Sequence, residues 1–125
     1  MTTRAVLFDA IARMVETRRD ADVSAVLIAR MPRYGELAAT FGYATLERVA
    51  DAMQAAMQRT LRPIDSVHRV GEGAFAVLLP ELKASNLAAL AAVRLAAALE
   101  QPFEANGQRV LAGITIGIAV APEHG

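Results

Sequence analysis

Apolar positions recur along the chain at two different periods, and these divide it into helices and strands. Leu7, Ile11 and Val15 lie four apart with Met14 beside them, which predicts an amphipathic helix over residues 6–18. The polar run from Glu16 to Asp20 closes it. Residues 25–29, Ala-Val-Leu-Ile-Ala, form an unbroken apolar run of strand length inside the predicted strand Val23–Arg30, as in a strand covered on both faces. Pro32 then suits a first helical turn, and a short helix is predicted over 34–40, stopping near Gly42.

Thr45 reads as a helix cap, followed by Leu46, Val49, Ala50, Met53 and Met57 on one face of a helix reaching about Leu61. The methionines in that stripe are expected in the core, where their flexibility fills irregular gaps. A hairpin follows. Residues 66–70 and 75–79 read as strands joined by Gly71-Glu72-Gly73, with Pro80 ending the second. Asn86–Leu99 is a further amphipathic helix, Phe103 opens a short extended piece, and Asn106-Gly107 is a two-residue turn. A long strand is predicted over 110–120, with Gly113 and Gly117 inside it and Pro122 ending it. Strands alternating with helices predict one α+β domain over 1–125: a central sheet flanked by helices.

Composition narrows the chemistry. The 125 residues are 54% hydrophobic but only 5% aromatic, so aliphatic side chains must fill the core. Thirteen basic and thirteen acidic residues balance, which argues against broad attraction to nucleic acid or an anionic membrane. There is no cysteine, which excludes disulfides and thiolate metal sites; His68 and His124 are too few for a typical zinc site. No signal peptide and no apolar run of membrane-spanning length is apparent, so a cytoplasmic domain without direct membrane insertion is expected. His68 is expected on an exposed strand face, and Arg69 in a pair with a local acid.

Three stretches together resemble the GGDEF (diguanylate cyclase) family. The first runs from Arg69 and Val70 through Gly71-Glu72-Gly73-Ala74-Phe75 into an apolar strand and Pro80. The second is Ile114-Thr115-Ile116-Gly117-Ile118-Ala119, and the third Phe41-Gly42-Tyr43. The resemblance implies a nucleotidyl-cyclase-like fold with a ferredoxin-like core and a mostly antiparallel sheet. It also implies that the C-terminal helix of such domains is missing from this stretch. Members of the family condense two GTP molecules into cyclic di-GMP using two divalent metals, which need hard oxygen ligands.

Against that pattern, the two acidic signature positions fall on Gly73 and Ala74, the second signature glycine on Glu72, and the metal-binding acids of the first strand on Arg30 and Pro32. The guanine-reading Asn falls on Ala38 and its partner Asp on Glu47, which keeps a carboxylate for a guanine contact. Glu72 alone is a poor metal ligand. The resemblance thus suggests a degenerate domain with no metal, no cofactor and no enzymatic activity, acting as a regulatory or interaction domain in bacterial cyclic di-GMP signalling. Its partners would be an adjacent EAL or sensor domain of a larger protein, or a second copy.

A second family feature is kept. Arg62-Pro63-Ile64-Asp65 matches the inhibitory Arg-x-x-Asp site for cyclic di-GMP, with Arg94 in the helix position that completes it. Arginine forks bind phosphates and guanine edges, and a carboxylate accepts from guanine N–H groups. The alternative function is therefore a receptor for cyclic di-GMP through Arg62, Asp65 and Arg94, or a GTP-binding allosteric domain. The plainer reading of the same residues has Asp65 bonding local backbone, Arg62 favouring a helix C-terminus and Arg94 solvated.

Overall fold

A computed structural model describes residues 23–121, together with Asp9 and Ile11, which are helical. The rest of the helix expected over residues 6–18 lies outside the described residues. Strand β1 is Val23–Arg30, helix α1 Tyr34–Phe41, helix α2 Tyr43–Thr60, strand β2 Ser66–Gly71, strand β3 Ala74–Leu82 and helix α3 Asn86–Leu99. Three short or terminal strands follow: β4 Phe103–Ala105, β5 Gln108–Val110 and β6 Thr115–Ala121. The main sheet has the order β2-β3-β1-β6, with every pair antiparallel, and β4-β5 is a separate hairpin. This is the expected α+β architecture.

The core lies between one face of the sheet and helices α2 and α3. Ala25, Leu27 and Ala29 of β1, Phe75, Val77 and Leu79 of β3, Leu46, Val49, Met53 and Met57 of α2, and Leu95 and Leu99 of α3 are all at most 1% exposed. The methionine stripe is therefore core, as its spacing suggests. Strand β1 is less symmetrically covered than its apolar run predicts: Val26 and Ile28, on its other face, are half-buried among the described residues.

Four local expectations change. Helix α2 begins two residues before Thr45, because Gly42, at φ 91°, serves both helices. Its N–H donates to the Ala38 carbonyl at 2.8 Å, closing α1, and its carbonyl accepts from Leu46 at 3.1 Å, opening α2. Only glycine adopts that φ freely. Thr45 is instead buried in the first turn of α2, where its hydroxyl accepts from Asn106 Nδ2 at 3.3 Å. Strand β3 runs past Pro80 to Leu82, because a register shift against β1 admits the proline and Glu81 in a bulge, with Glu81 at φ 53°. The strand expected over 110–120 is broken: Gly113, at φ 75°, turns the chain between β5 and β6.

Candidate functional site

Strand β3 joins two clusters of charged side chains, one at each end. At its start is the hairpin turn. The amide of Met31, just after β1, donates to the Gly73 carbonyl at 2.8 Å and fastens the β1–α1 loop to the turn. Arg30 and Ala74 are partners across the sheet, so the expected metal positions of β1 and the turn do come together. Gly73 has φ 65°, and a Cβ there would run into the ring of Tyr34. Tyr34 thus fills the space that a side chain at position 73 would need.

A divalent metal of the kind the resemblance implies does not fit this donor set. Gly73 has no side chain and no room for one, Ala74 offers a methyl group and Arg30 a cation, which leaves Glu72 as the turn's carboxylate. Among the described residues, no group of three or more Asp, Glu or His side chains gathers where it could hold a metal ion.

Beside the turn, Arg69 clamps β2 to α2. Its Nη2 donates to Glu47 at 2.6 Å and its Nη1 to Asp51 at 3.3 Å. Its guanidinium lies 5.6 Å from the centre of the Phe75 ring, and its buried Nε finds no acceptor among the described residues. The local acid expected for Arg69 is therefore a pair of acids. Glu47, expected as a guanine contact, is engaged by Arg69 in this state, and Ala38 is buried in α1. Tyr34 has its pKa raised, first by burial and then by the charges of Glu47 and Glu72. Its ring centre lies 6.3 Å from that of Tyr43. His68 is half-buried, within 3.0 Å of the Ser66 hydroxyl, which departs from the exposed face expected for it.

The far end of β3 carries the second cluster. A groove of about 150 Å³ is lined by Thr60, Leu61, Arg62, Asp65, Leu79, Leu82, Leu87, Leu90, Ala91 and Arg94. The three residues chosen from sequence, Arg62, Asp65 and Arg94, share it. Its floor, which sequence reasoning missed, is leucine and alanine from β3 and α3.

Arg62 and Asp65 are engaged with each other. The Asp65 carboxylate, 2% exposed, accepts from the Arg62 backbone N–H at 2.8 Å, from its Nε at 3.1 Å and from its Nη2 at 2.7 Å. The same guanidinium reaches the β3 bulge, donating to the carbonyls of Pro80 at 2.6 Å and Glu81 at 3.4 Å. The Arg62 pKa is raised further, chiefly by its hydrogen bond to Asp65. The plainer reading of Asp65 as a backbone acceptor is thus realised alongside its place in the groove. Arg94 is exposed and has no ion-pair partner among the described residues.

Comparison with known proteins agrees with the fold and with the family that the sequence resembles. The family model described as "Diguanylate cyclase, GGDEF domain" matches residues 1–125. The diguanylate cyclase TpbB of Pseudomonas aeruginosa is 34% identical over 101 residues, covering 80% of this chain and 23% of that protein. The chain therefore spans under a quarter of the length of this curated relative. A crystal structure of the GGDEF domain of that bacterium's YfiN or TpbB aligns with a TM-score of 0.81 at 31% identity, over 93% of this chain and 71% of the other. An EAL/GGDEF domain protein from M. capsulatus aligns with a TM-score of 0.79 at 25% identity, over 97% of this chain and 79% of the other.

These matches correct the expectation that the chain is not an enzyme. It rested on acids missing from the hairpin turn, at Gly73 and Ala74, and from the end of the first strand, at Arg30 and Pro32, whereas the matching family is a cyclase family and TpbB bears the name of one. The loss of those side chains describes one donor set; it does not establish that a domain is inert.

Proposed function

The chain belongs to the diguanylate cyclase GGDEF domain family, and on that premise we propose that this domain of cyclic di-GMP signalling responds to the dinucleotide itself, bound in the groove between the α2–β2 turn and α3. The observation that carries this reading is the convergence of Arg62, Asp65 and Arg94, residues 32 positions apart at the extremes, on one apolar-floored groove. Two arginines bring positive charge to a phosphodiester, and Arg94, exposed and without an ion-pair partner among the described residues, has a guanidinium suited to a bidentate contact. The floor of Leu79, Leu82, Leu87, Leu90 and Ala91 offers an apolar surface to the face of a purine. A groove of about 150 Å³ takes one base and leaves the rest of a dinucleotide at the surface.

In this reading the domain is regulatory within a longer protein, passing ligand occupancy to a neighbouring EAL or sensor domain or to a second copy. The short span of the curated relative that it matches, and the EAL/GGDEF make-up of the M. capsulatus protein, support that setting. Titration calorimetry with cyclic di-GMP tests it. Saturable heat that falls at least tenfold in affinity in Arg94→Ala, as loss of a charge-assisted phosphate contact implies, is the expected result. Absence of binding to the folded wild-type chain sinks it.

A second reading, GTP turnover, is favoured by the cyclase name of the relative at 34% identity rather than by the donor set of the turn. Formation of cyclic di-GMP from GTP and Mg²⁺, followed by chromatography, is its assay.

A further inference from the structure

The guanidinium of Arg62 is almost fully committed before any ligand arrives. Of the five N–H donors of an arginine side chain, the one on Nε and one on Nη2 go to Asp65, the second on Nη2 goes to Pro80 O, and one on Nη1 goes to Glu81 O. Among the described residues, one N–H on Nη1 is left. The Asp65 carboxylate is likewise occupied by three N–H groups of Arg62. A phosphate cannot take the Arg62 fork in bidentate fashion unless at least one of these bonds opens.

The bonds differ in how readily they yield. Those to Asp65 are charge-assisted on both sides and lie against a carboxylate that is 2% exposed. Those to Pro80 and Glu81 go to neutral carbonyls, and the Glu81 bond is long at 3.4 Å. They also hold a strained segment: Glu81 is a non-glycine residue at φ 53°, within the bulge where the register of β3 slips against β1. Leu82, the next residue, pairs with Val23 at the very start of β1.

We infer that Arg62 is a ligand-released latch, which in the empty groove pins the Pro80–Glu81 bulge and which an anionic dinucleotide draws away, freeing the end of β3 and its pairing with the start of β1. The inference rests on the groove being the cyclic di-GMP site and adds what binding does to the fold. Asp65 stays bonded to Arg62 throughout and acts as the pivot. Arg94, which contacts nothing else in the groove's charged set, makes the first contact with phosphate.

Hydrogen exchange read by mass spectrometry on the whole chain tests the latch in two arms. In the first, without ligand, Arg62→Lys keeps the charge but cannot reach two carbonyls and a carboxylate together. Peptides covering residues 80–83 and 23–25 are expected to exchange about tenfold faster, as loss of two backbone-anchoring bonds implies, with α2 and the hairpin turn unchanged. Unchanged exchange at 80–83 overturns the latch whatever the groove binds. In the second, the wild-type chain is saturated with cyclic di-GMP at a concentration set by calorimetry. Faster exchange at 80–83 together with protection around Arg94 supports release. Slower or unchanged exchange at 80–83 in a chain that is demonstrably occupied overturns release while leaving the binding site standing. No calorimetric binding to the wild-type chain overturns the site and ligand-driven release with it, and the first arm still decides whether Arg62 holds the bulge.

Discussion

Arg62 and Arg69 are two arginine clamps at opposite ends of β3, built from the same chemistry with opposite exposure. Arg69 reaches two carboxylates on α2, Glu47 and Asp51, which are 53% and 76% exposed. Arg62 reaches one carboxylate that is 2% exposed and two backbone carbonyls. Water competes freely for the first pair of acids and hardly at all for Asp65. The Arg69 clamp therefore braces the hairpin turn through many small contributions, the Phe75 ring among them, whereas the Arg62 clamp depends on one buried carboxylate that accepts three of its N–H groups at once. The two ends also differ in room. At the turn, Tyr34 fills the space beside Gly73; at the far end, the groove stays open over leucine.

The most severe way to break this comparison is to empty the core at one end only. Phe75 is fully buried in β3 and lies under Arg69, so Phe75→Ala should cost about 3–5 kcal/mol in urea denaturation and weaken the Arg69 clamp. The difference in exposure is measured next. Asp65→Ala should cost about 2–3 kcal/mol, because it removes three hydrogen bonds of Arg62 to one buried carboxylate, while Glu47→Ala should cost about 0.5–1 kcal/mol. Equal losses in the two variants would show that exposure does not separate the clamps.

Gly73→Ala should cost about 1–2 kcal/mol from backbone strain, with an added clash against Tyr34. In a double-mutant cycle with Tyr34→Ala, the clash part should be recovered and the strain part should remain. The smallest effect is alkaline. The folded-state pKa of Tyr34 lies above its unfolded value of 10.0, so the folded chain holds that proton more tightly. Its contribution to stability is present below pH 10.0 and fades as pH rises through the raised folded-state value. Tyr34→Phe should remove that slope from a pH series of melting curves above pH 10.0, with no change at neutral pH.

Both clamps were partly visible in the residue order. Arg62 and Asp65 were singled out together by the family resemblance, as contacts for a ligand, but their bond to each other was not expected. The other half of that clamp could not be named at all. Pro80 and Glu81 lie 18 and 19 residues away from Arg62, and their acceptors are main-chain carbonyls, which every residue carries and no residue type announces. Proline at 80 even suggested that β3 ends there, since it lacks a ladder donor; the bulge accommodates it instead. Likewise, a local acid was expected for Arg69, but Glu47 and Asp51 became its partners only when α2 packed along β2. Nothing in the sequence marked Tyr34 as the ring that fills the turn.

The sequence by itself determined the elements and the donor chemistry. Period and punctuation place Val23–Arg30, Asn86–Leu99 and the β2–β3 hairpin, because helix and strand periodicity are properties of neighbouring residues. The glycine and alanine at 73 and 74 set which side-chain atoms the turn can offer, whatever the fold. Tertiary structure decided the strand order β2-β3-β1-β6, the break at Gly113, the union of Arg94 with Arg62 over a leucine floor, and which charges face water. Those are contacts between segments far apart in the chain, and burial, which makes Asp65 a strong partner and Glu47 a weak one, arises only when such segments pack.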